Sequence, residues 1–278
     1  MTLSVNTNQP ALIALQNLNK TNDDMQTTQT HINTGQSIST AKDNAAVWSI
    51  AQNQRADQSA LGSVKMSLDR ATSIADVALS AGQSVSDLLS QMREKVVSAK
   101  DTSLTTSSRQ SLNADFQGIM ANIGKVISTA SFDGANLLDG SQSANMTFLA
   151  DADATQSITL SLQNLSVGST INTLTSTDDI LTPTNAADVL TRLDATMSSV
   201  NQALGNLGTQ AKQIDAHSTF VGKLSDVLET GVGNLVDADM AKESARLQAL
   251  QVKQQLGAQA LSIANNAPQI ILSLFKGS

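Results

Sequence analysis

Apolar residues recur along most of this chain in steps of three and four, the spacing that places them on one face of a helix. Near the C-terminus one seam runs through Val236, Met240, Glu243, Leu247, Leu250, Gln254, Gly257, Leu261, Ala264, Pro268, Ile271 and Phe275, with Leu274 beside it. A weaker seam at the other end runs from Leu12 through Leu15, Leu18, Asn22, Met25, Gln29 and Ile32, with amides at two of its core positions. Pro10 fits the first turn of that helix, where its missing N–H costs nothing, and Thr34-Gly35 ends it. A long helix with one apolar stripe cannot bury that stripe on itself. The spacing therefore predicts that the two ends pair with each other and with copies from other chains.

Between the ends the periodicity is stronger. After a connector at Ser37 to Thr40, helical pattern restarts at Ala41 and runs through Asp43, Asn44, Val47, Trp48 and Ala51. Leu61, Val64, Leu68, Ala71, Ala75, Ala78, Gly82, Val85, Leu89, Met92, Val96 and Ala99 then form a seam without a charged residue. Such a helix is on the order of 60 Å long, and its small residues admit a close partner. Asp101-Thr102-Ser103 ends it, Ser107 or Ser108 is the expected N-cap of the next helix, and Leu112, Phe116, Ile119, Ile123, Val126 and Ala130 continue the pattern. The short loop makes these two helices antiparallel.

The period then changes. Asp133-Gly134 and Asp139-Gly140 are turn signals flanking Leu137-Leu138, and Met146 to Leu149 and Ile158 to Leu162 read as strands. Residues 166–182 lack a period and are expected to be surface loop. Thr184-Asn185 caps a last long helix with the seam Val189, Leu193, Thr196, Val200, Ala203, Leu207, Gln210, Ile214, His217, Val221, Leu224 and Leu228, and Gly231-Val232-Gly233 is expected to break it. The predicted fold is mainly α. Long antiparallel helices form a coiled-coil-like rod, terminal helices pair, and a small β-hairpin element lies at about residues 131–165.

Composition narrows the function. Of 278 residues 40% are hydrophobic, but only 2% are aromatic and none is Tyr, which suits packed helices better than a deep ligand pocket. Charged residues are 15%, below the roughly 25% of ordinary domains. A net charge of −7 with no run of basic residues excludes the basic stripe that nucleic acid requires. There is no Cys, hence no disulfide or thiol nucleophile. No stretch is apolar enough to insert in a membrane, and the first residues lack a cleavable signal pattern. If the chain is exported, a route that reads no cleaved signal peptide is expected.

Nothing nominates a catalytic residue or a cofactor. His31 and His217 lie on different helices, and His217 falls on an apolar seam, where a packed histidine is the simple reading. Asp151-Ala152-Asp153 begins like a calcium loop but lacks the glycine at loop position six and has Leu162 where a bidentate Glu belongs. Asp237 and Asp239 precede a helix, where carboxylates satisfy free N–H groups. Trp48, the single Trp, packs in a bundle or touches another subunit.

Several of these stretches, taken in order, resemble bacterial flagellin. Asn6-Thr7-Asn8 with Ala11-Leu12 and Asn17-Leu18 is similar to the family's opening. Thr34-Gly35, Ile38 and Ala41 to Ala46 resemble its TG-x-x-I-x-x-A-x-D-x-A-A block, and Phe132-Asp133-Gly134 through Leu137-Leu138-Asp139-Gly140 resembles its hairpin. Asn234 to Asp239, Glu243, Leu261, Ala264-Asn265 and Leu272 to Leu274 resemble its closing helix. The resemblance implies a filament subunit for swimming motility. In it, 1–44 and 234–278 pair as an inner tube, 45–233 forms an outer helical rod, and 140–183 is a short variable outer segment. The same resemblance implies export through the flagellar channel. It also implies self-polymerisation, mixing with paralogous flagellins, cap and hook-associated partners, and an export chaperone on the C-terminal segment. A junction protein of the same superfamily, or a coiled-coil adaptor, is the alternative.

The assembly interface is expected at Leu12, Leu15, Leu18, Met25, Ile32, Val236, Met240, Leu247, Leu250, Leu261, Ile271 and Leu274. The rod core is expected at Leu61, Val64, Leu68, Val85, Leu89, Met92, Phe116, Ile119, Ile123, Val200, Leu207, Ile214, Val221 and Leu224. Many flagellins carry an Arg-x-Arg-Glu-Leu patch read by an animal innate receptor. Here Gln91 stands for its first Arg and Lys95 for its Leu around Arg93 and Glu94, so weak or absent activation is expected. The termini carry too few large apolar groups to offset the cost of ordering them, so they are expected to fold on assembly. Growth without limit requires heterologous contacts.

Overall fold

The computed structural model describes residues 8–276, and side chains through Asn266. Asn6, Thr7, and the side chains of Pro268, Ile271, Leu274 and Phe275 lie outside the described part. Among the described residues the elements are α1 (Gln9–Thr34), α2 (Ala45–Ala99), α3 (Thr106–Thr129), β1 (Ser131–Phe132), β2 (Ala135–Asn136), β3 (Met146–Leu149), β4 (Ser157–Leu160), α4 (Pro183–Val236) and α5 (Met240–Lys276). The fold is mainly α, with two small antiparallel sheets. It divides into two compact units, residues 1–56 with 227–278, and residues 57–226.

Local chemistry sets each boundary. The Asn8 side chain accepts from the Ala11 N–H and caps α1, and Gly35 closes it at φ 71°, a left-handed position that favours glycine. Asp43 accepts from the N–H groups of Ser39 and Thr40, and Asn44 from Val47. These bonds hold residues 39–44 as a turn, so α2 begins at Ala45 and not at Ala41. It then runs unbroken for 55 residues. The N-cap of α3 is Thr105, which accepts from Ser108 N–H, ahead of the Ser107 or Ser108 expected. Arg109 is buried and donates to the carbonyls of Ala99 and Asp101, satisfying groups at the end of α2 that have no helical partner. Thr182 caps α4 by accepting from Asn185 with Pro183 at the first helical position, displacing the expected Thr184-Asn185 cap.

Gly231-Val232-Gly233 does not break α4. Val232 and Val236 pack against Ala51, with Ile38 and Leu235 beside them, and that packing outweighs the roughly 1 kcal/mol helix penalty of each glycine. The chain breaks at Asp237 to Asp239 instead. There the Val236 carbonyl accepts from Ser37 N–H, and Ala238 N–H donates to Gly35.

The unit of residues 57–226 is a helical bundle with the sheets attached. Its α2 and α4 segments run antiparallel: Thr72, Ser86 and Arg93 reach Asp215, Asn201 and Asp194 in turn. Leu61, Val64, Leu68, Val85, Leu89, Met92, Phe116, Ile123, Val200, Leu207, Ile214 and Val221 are buried, while Ile119 and Leu224 are half-buried. The β region is two separate hairpins. Asp133 at φ 49° and Gly134 at φ 76° make the tight turn between β1 and β2. β3 pairs with β4 from Met146 opposite Leu160 to Leu149 opposite Ser157.

Residues 166–182 form an irregular loop at the surface, as expected, but an anchored one. Asn172, Leu174 and Ile180 are buried. The Asn172 amide donates to the Leu165 carbonyl, and Arg192 makes paired 2.8 and 2.7 Å bonds to Asp178. Single anchors of this kind leave no periodic trace in a sequence.

Candidate assembly surfaces

In the unit of residues 1–56 and 227–278, α1 lies antiparallel to α5. Asn8 Nδ2 donates to the Ala264 carbonyl at 2.7 Å, Gln254 Nε2 donates to Asn22 Oδ1 at 2.8 Å, and His31 Nδ1 stands 3.6 Å from Glu243 Oε1. Partners climb along one helix as they fall along the other. Gly257 supplies a hollow for Leu18, whose Cδ1 would lie 3.3 Å from a β-carbon there.

This pair buries little. The only residue of α1 that is fully buried is Thr28; on the facing side of α5 Glu243 and Leu250 are buried. Of the expected interface residues, Val236 and Leu250 are buried, and Leu18, Met25, Ile32, Leu247 and Leu261 are half-buried along the seam. Leu12, Leu15 and Met240 sit off it, 55%, 42% and 43% exposed. Gln29, placed on the seam by its spacing, is also exposed.

A second apolar stripe was not anticipated. Ile13 on α1, and Val252, Leu256 and Ile263 on α5, are more than half exposed. The α5 residues are spaced by four and seven, so they share a face of their own. The signal was present in the sequence, but following one seam conceals a second beside it.

Within residues 57–226 the helices meet at small residues. A β-carbon on Gly82 would collide with Leu204 Cδ2, so Leu204 fills the space glycine leaves. Gln210 ties α4 to the second hairpin, accepting from Ser161 N–H and donating to its hydroxyl. His217 Nε2 lies 2.6 Å from the Ala150 carbonyl, a packed role that occupies one ring nitrogen. Arg70 pairs with Asp133 in the first hairpin's turn at 3.0 Å. Asp151 accepts from Thr155 and from Gln156 N–H, bonds that hold its carboxyl below the ordinary range, so the calcium-like stretch is a self-satisfied turn. Among the described residues no cluster of three or more His, Cys, Asp or Glu could hold a metal ion.

The residues matching the innate-receptor patch lie near the C-terminal end of α2. Gln91, Arg93 and Glu94 are exposed and Lys95 is half-exposed. Arg93 bonds Asp194 at 2.6 Å, which raises its basicity further, and Lys95 pairs with Asp115 at 3.5 Å.

A family model described as the bacterial flagellin N-terminal helical region matches residues 5–143. One described as the C-terminal helical region matches residues 190–275. The chain is 72% identical to flagellin FljJ of Caulobacter vibrioides over all of both chains. It is 47% identical to flagellin FljK of the same organism, covering 98% of each, and 38% identical to a flagellin of Brucella melitensis, covering 99% of each. Among solved structures it resembles Bacillus cereus flagellin, with a TM-score of 0.50 at 20% identity over 56% of this chain and 88% of that one. It also resembles a putative flagellar hook-associated protein of Vibrio parahaemolyticus, with a TM-score of 0.59 at 13% identity over 70% of this chain and all of that one. Both structural likenesses concern the fold.

Proposed function

The chain belongs to the bacterial flagellin family, and from that premise we propose how its two units divide the work of building a filament. It is a structural subunit of the bacterial flagellar filament, which self-polymerises together with flagellin paralogues and serves swimming motility. The terminal unit, α1 with α5, is the assembly element, and the second apolar stripe is the face it turns to neighbouring copies. The unit of residues 57–226 is the folded body that carries each subunit's outer contacts, and residues 140–183 are its outermost part.

One observation carries this reading: α1 buries a single residue, a threonine, while Leu12, Ile13 and Leu15 remain outside. Ordering a residue costs on the order of 1–2 kcal/mol of backbone entropy, and fully burying a leucine returns about 1.5–3 kcal/mol. A helix of 26 residues with no fully buried leucine gains its order from further copies. A two-fold contact between stripes would stop at a dimer, so the contacts are heterologous and repeat around a helix.

Export fits the same chemistry. Terminal helices that bury little present ends that enter a narrow channel before the body, whose core must open to follow, and the exposed apolar face of α5 is the surface an export chaperone would cover. Cap and hook-associated proteins would meet the terminal unit at the two ends of the polymer. This route needs no cleaved signal peptide. The test is negative-stain electron microscopy of the purified chain and of a truncation ending at Gly257. Full-length filaments with a regular helical repeat are expected, and no polymer from the truncation. Filaments of normal repeat from the truncated chain would remove the assembly role of α5.

A further inference from the structure

The α1–α5 pair has a register problem. Its apolar seam repeats in heptads and is thin, and a thin heptad seam pairs almost as well after sliding by seven residues, about 10 Å along the axis. Apolar burial in this pair does not choose between such registers, because Thr28 is all that α1 fully buries, and the backbone bonds of Ser37 N–H to Val236 and of Ala238 N–H to Gly35 tie only one end of the pair. Four polar side chains stand on the same seam: Asn22 bonds Gln254 at 2.8 Å, and one heptad or so away His31 faces Glu243 at 3.6 Å with both groups largely shielded from water.

We propose that these two pairs are the register key of the terminal helices, the residues that carry the alignment from that tied end along the pair as the subunit enters the filament. Sliding one way sets Asn22 against Leu247 and Gln254 against Leu15, and carries His31 past Met240, the first residue of α5. It also places Glu243 opposite the carboxylate of Asp24, and moves Leu18 from the hollow at Gly257 onto Leu250. Sliding the other way sets Asn22 against Leu261 and His31 against Leu250. Each slip strands a polar group against an aliphatic one, which costs far more than the native pairing gains. The key works by penalising the wrong registers, as a polar residue at a core position does in coiled coils.

The buried polar atoms fit this role. Thr21, Thr27, Thr30 and Thr34 each bond the carbonyl four residues back, but the Thr28 hydroxyl does not, and it is buried without a hydrogen-bond partner, as are His31 Nδ1 and Glu243 Oε2. Polarity is thus retained on this seam at a cost to stability, as expected of groups kept for specificity. The inference rests on the filament reading, since register matters where every copy must present the same stripe.

The chain has no cysteine, so spin labels can be placed cleanly on Gln16→Cys and Gln259→Cys, two exposed positions at one level of the pair. Filaments are grown with sparse labelled subunits, and the inter-label distance is measured by pulsed electron resonance. The unmodified key is expected to give one distance. Asn22→Leu, Gln254→Leu, His31→Leu and Glu243→Leu combined are expected to give a broadened or second distance with helicity retained. A single unchanged distance in that variant overturns the proposal. If that variant forms no filaments, the swap Asn22→Gln with Gln254→Asn decides: native distance restored relative to Asn22→Leu alone supports the key, and no restoration overturns it. Absence of filaments from the unmodified chain would instead count against the filament reading.

Discussion

At the scale of single residues, the packing of the body turns on where a side chain is missing. Gly82→Ala adds one methyl where Leu204 already sits. Overpacking of this kind costs about 1–3 kcal/mol, while the gain in helix propensity is about 1 kcal/mol, a net loss of up to about 2 kcal/mol, so the variant is expected to melt slightly lower in a calorimetric scan; a rise would mean the half-buried Leu204 moves aside freely. Asp178 supplies a pH dependence. Burial pushes its carboxyl up, but bonds from Arg192 and Thr175 outweigh that and leave it below the ordinary range. A depressed carboxyl stabilises the fold fully above its unfolded value of about 4, and this share is lost as pH falls through the lower folded value. Asp178→Asn is therefore expected to be less stable at neutral pH, with the two stability curves converging as the pH falls below the depressed folded-state value. Parallel curves across the acid range would refute the assignment. The seam residues around Gly82 were legible because period alone places them. Leu204 and the Arg192–Asp178 pair were not, since one lies beside the seam and the other joins segments without a shared pattern.

At the scale of elements, the helices followed from periodicity, as did the close of α1 at Thr34-Gly35, but several other ends did not. Ala41, Ser107 and Thr184-Asn185 each looked like a start, yet hydrogen bonds accepted by Asp43, Thr105 and Thr182 moved the boundary by one to four residues. Gly231 and Gly233 looked like a stop, and packing of Val232 and Val236 on Ala51 overrode them. The two Asp-Gly signals were read as one β element because sequence shows turns but not which strands share a sheet. The C-terminal part of α2 carries a prediction of its own. A receptor that reads an Arg-x-Arg-Glu-Leu surface would find Gln91 in place of the first Arg and Lys95 in place of the Leu. It would also find Arg93 engaged by Asp194. Purified monomer is expected to give little or no response in receptor-reporter cells, and Gln91→Arg with Lys95→Leu to raise it. A potent response from the unmodified monomer would show that recognition lies elsewhere.

For the whole molecule, the decisive contrast is between a body with a continuous apolar core and a terminal unit whose apolar core is the small cluster around Ala51, Val232 and Val236. Residues 57–226 bury Leu68, Leu89, Met92, Phe116, Leu193, Leu207 and Ile214 completely or nearly so. Opening those helices exposes the core that holds them, so their amides exchange only through large unfolding events. Among the described side chains of α1 and α5, those buried are Thr28, Glu243 and Leu250, and local opening exposes little. Amide exchange of the depolymerised subunit is therefore expected to be fast throughout α1 and α5, with protection at least a hundredfold (about 2.7 kcal/mol) below that of the α2 and α4 segments in 57–226. In filaments the same α1 and α5 amides are expected to become as slow as the body. Substituting Leu256→Ser on the exposed stripe should leave the monomer pattern nearly unchanged while raising the concentration needed for assembly, because that side chain is more than half exposed and has little intramolecular packing to lose. Slow exchange of both terminal helices in the isolated subunit would mean that their order precedes polymerisation, and the exposed stripe would then be a docking face on a preformed element.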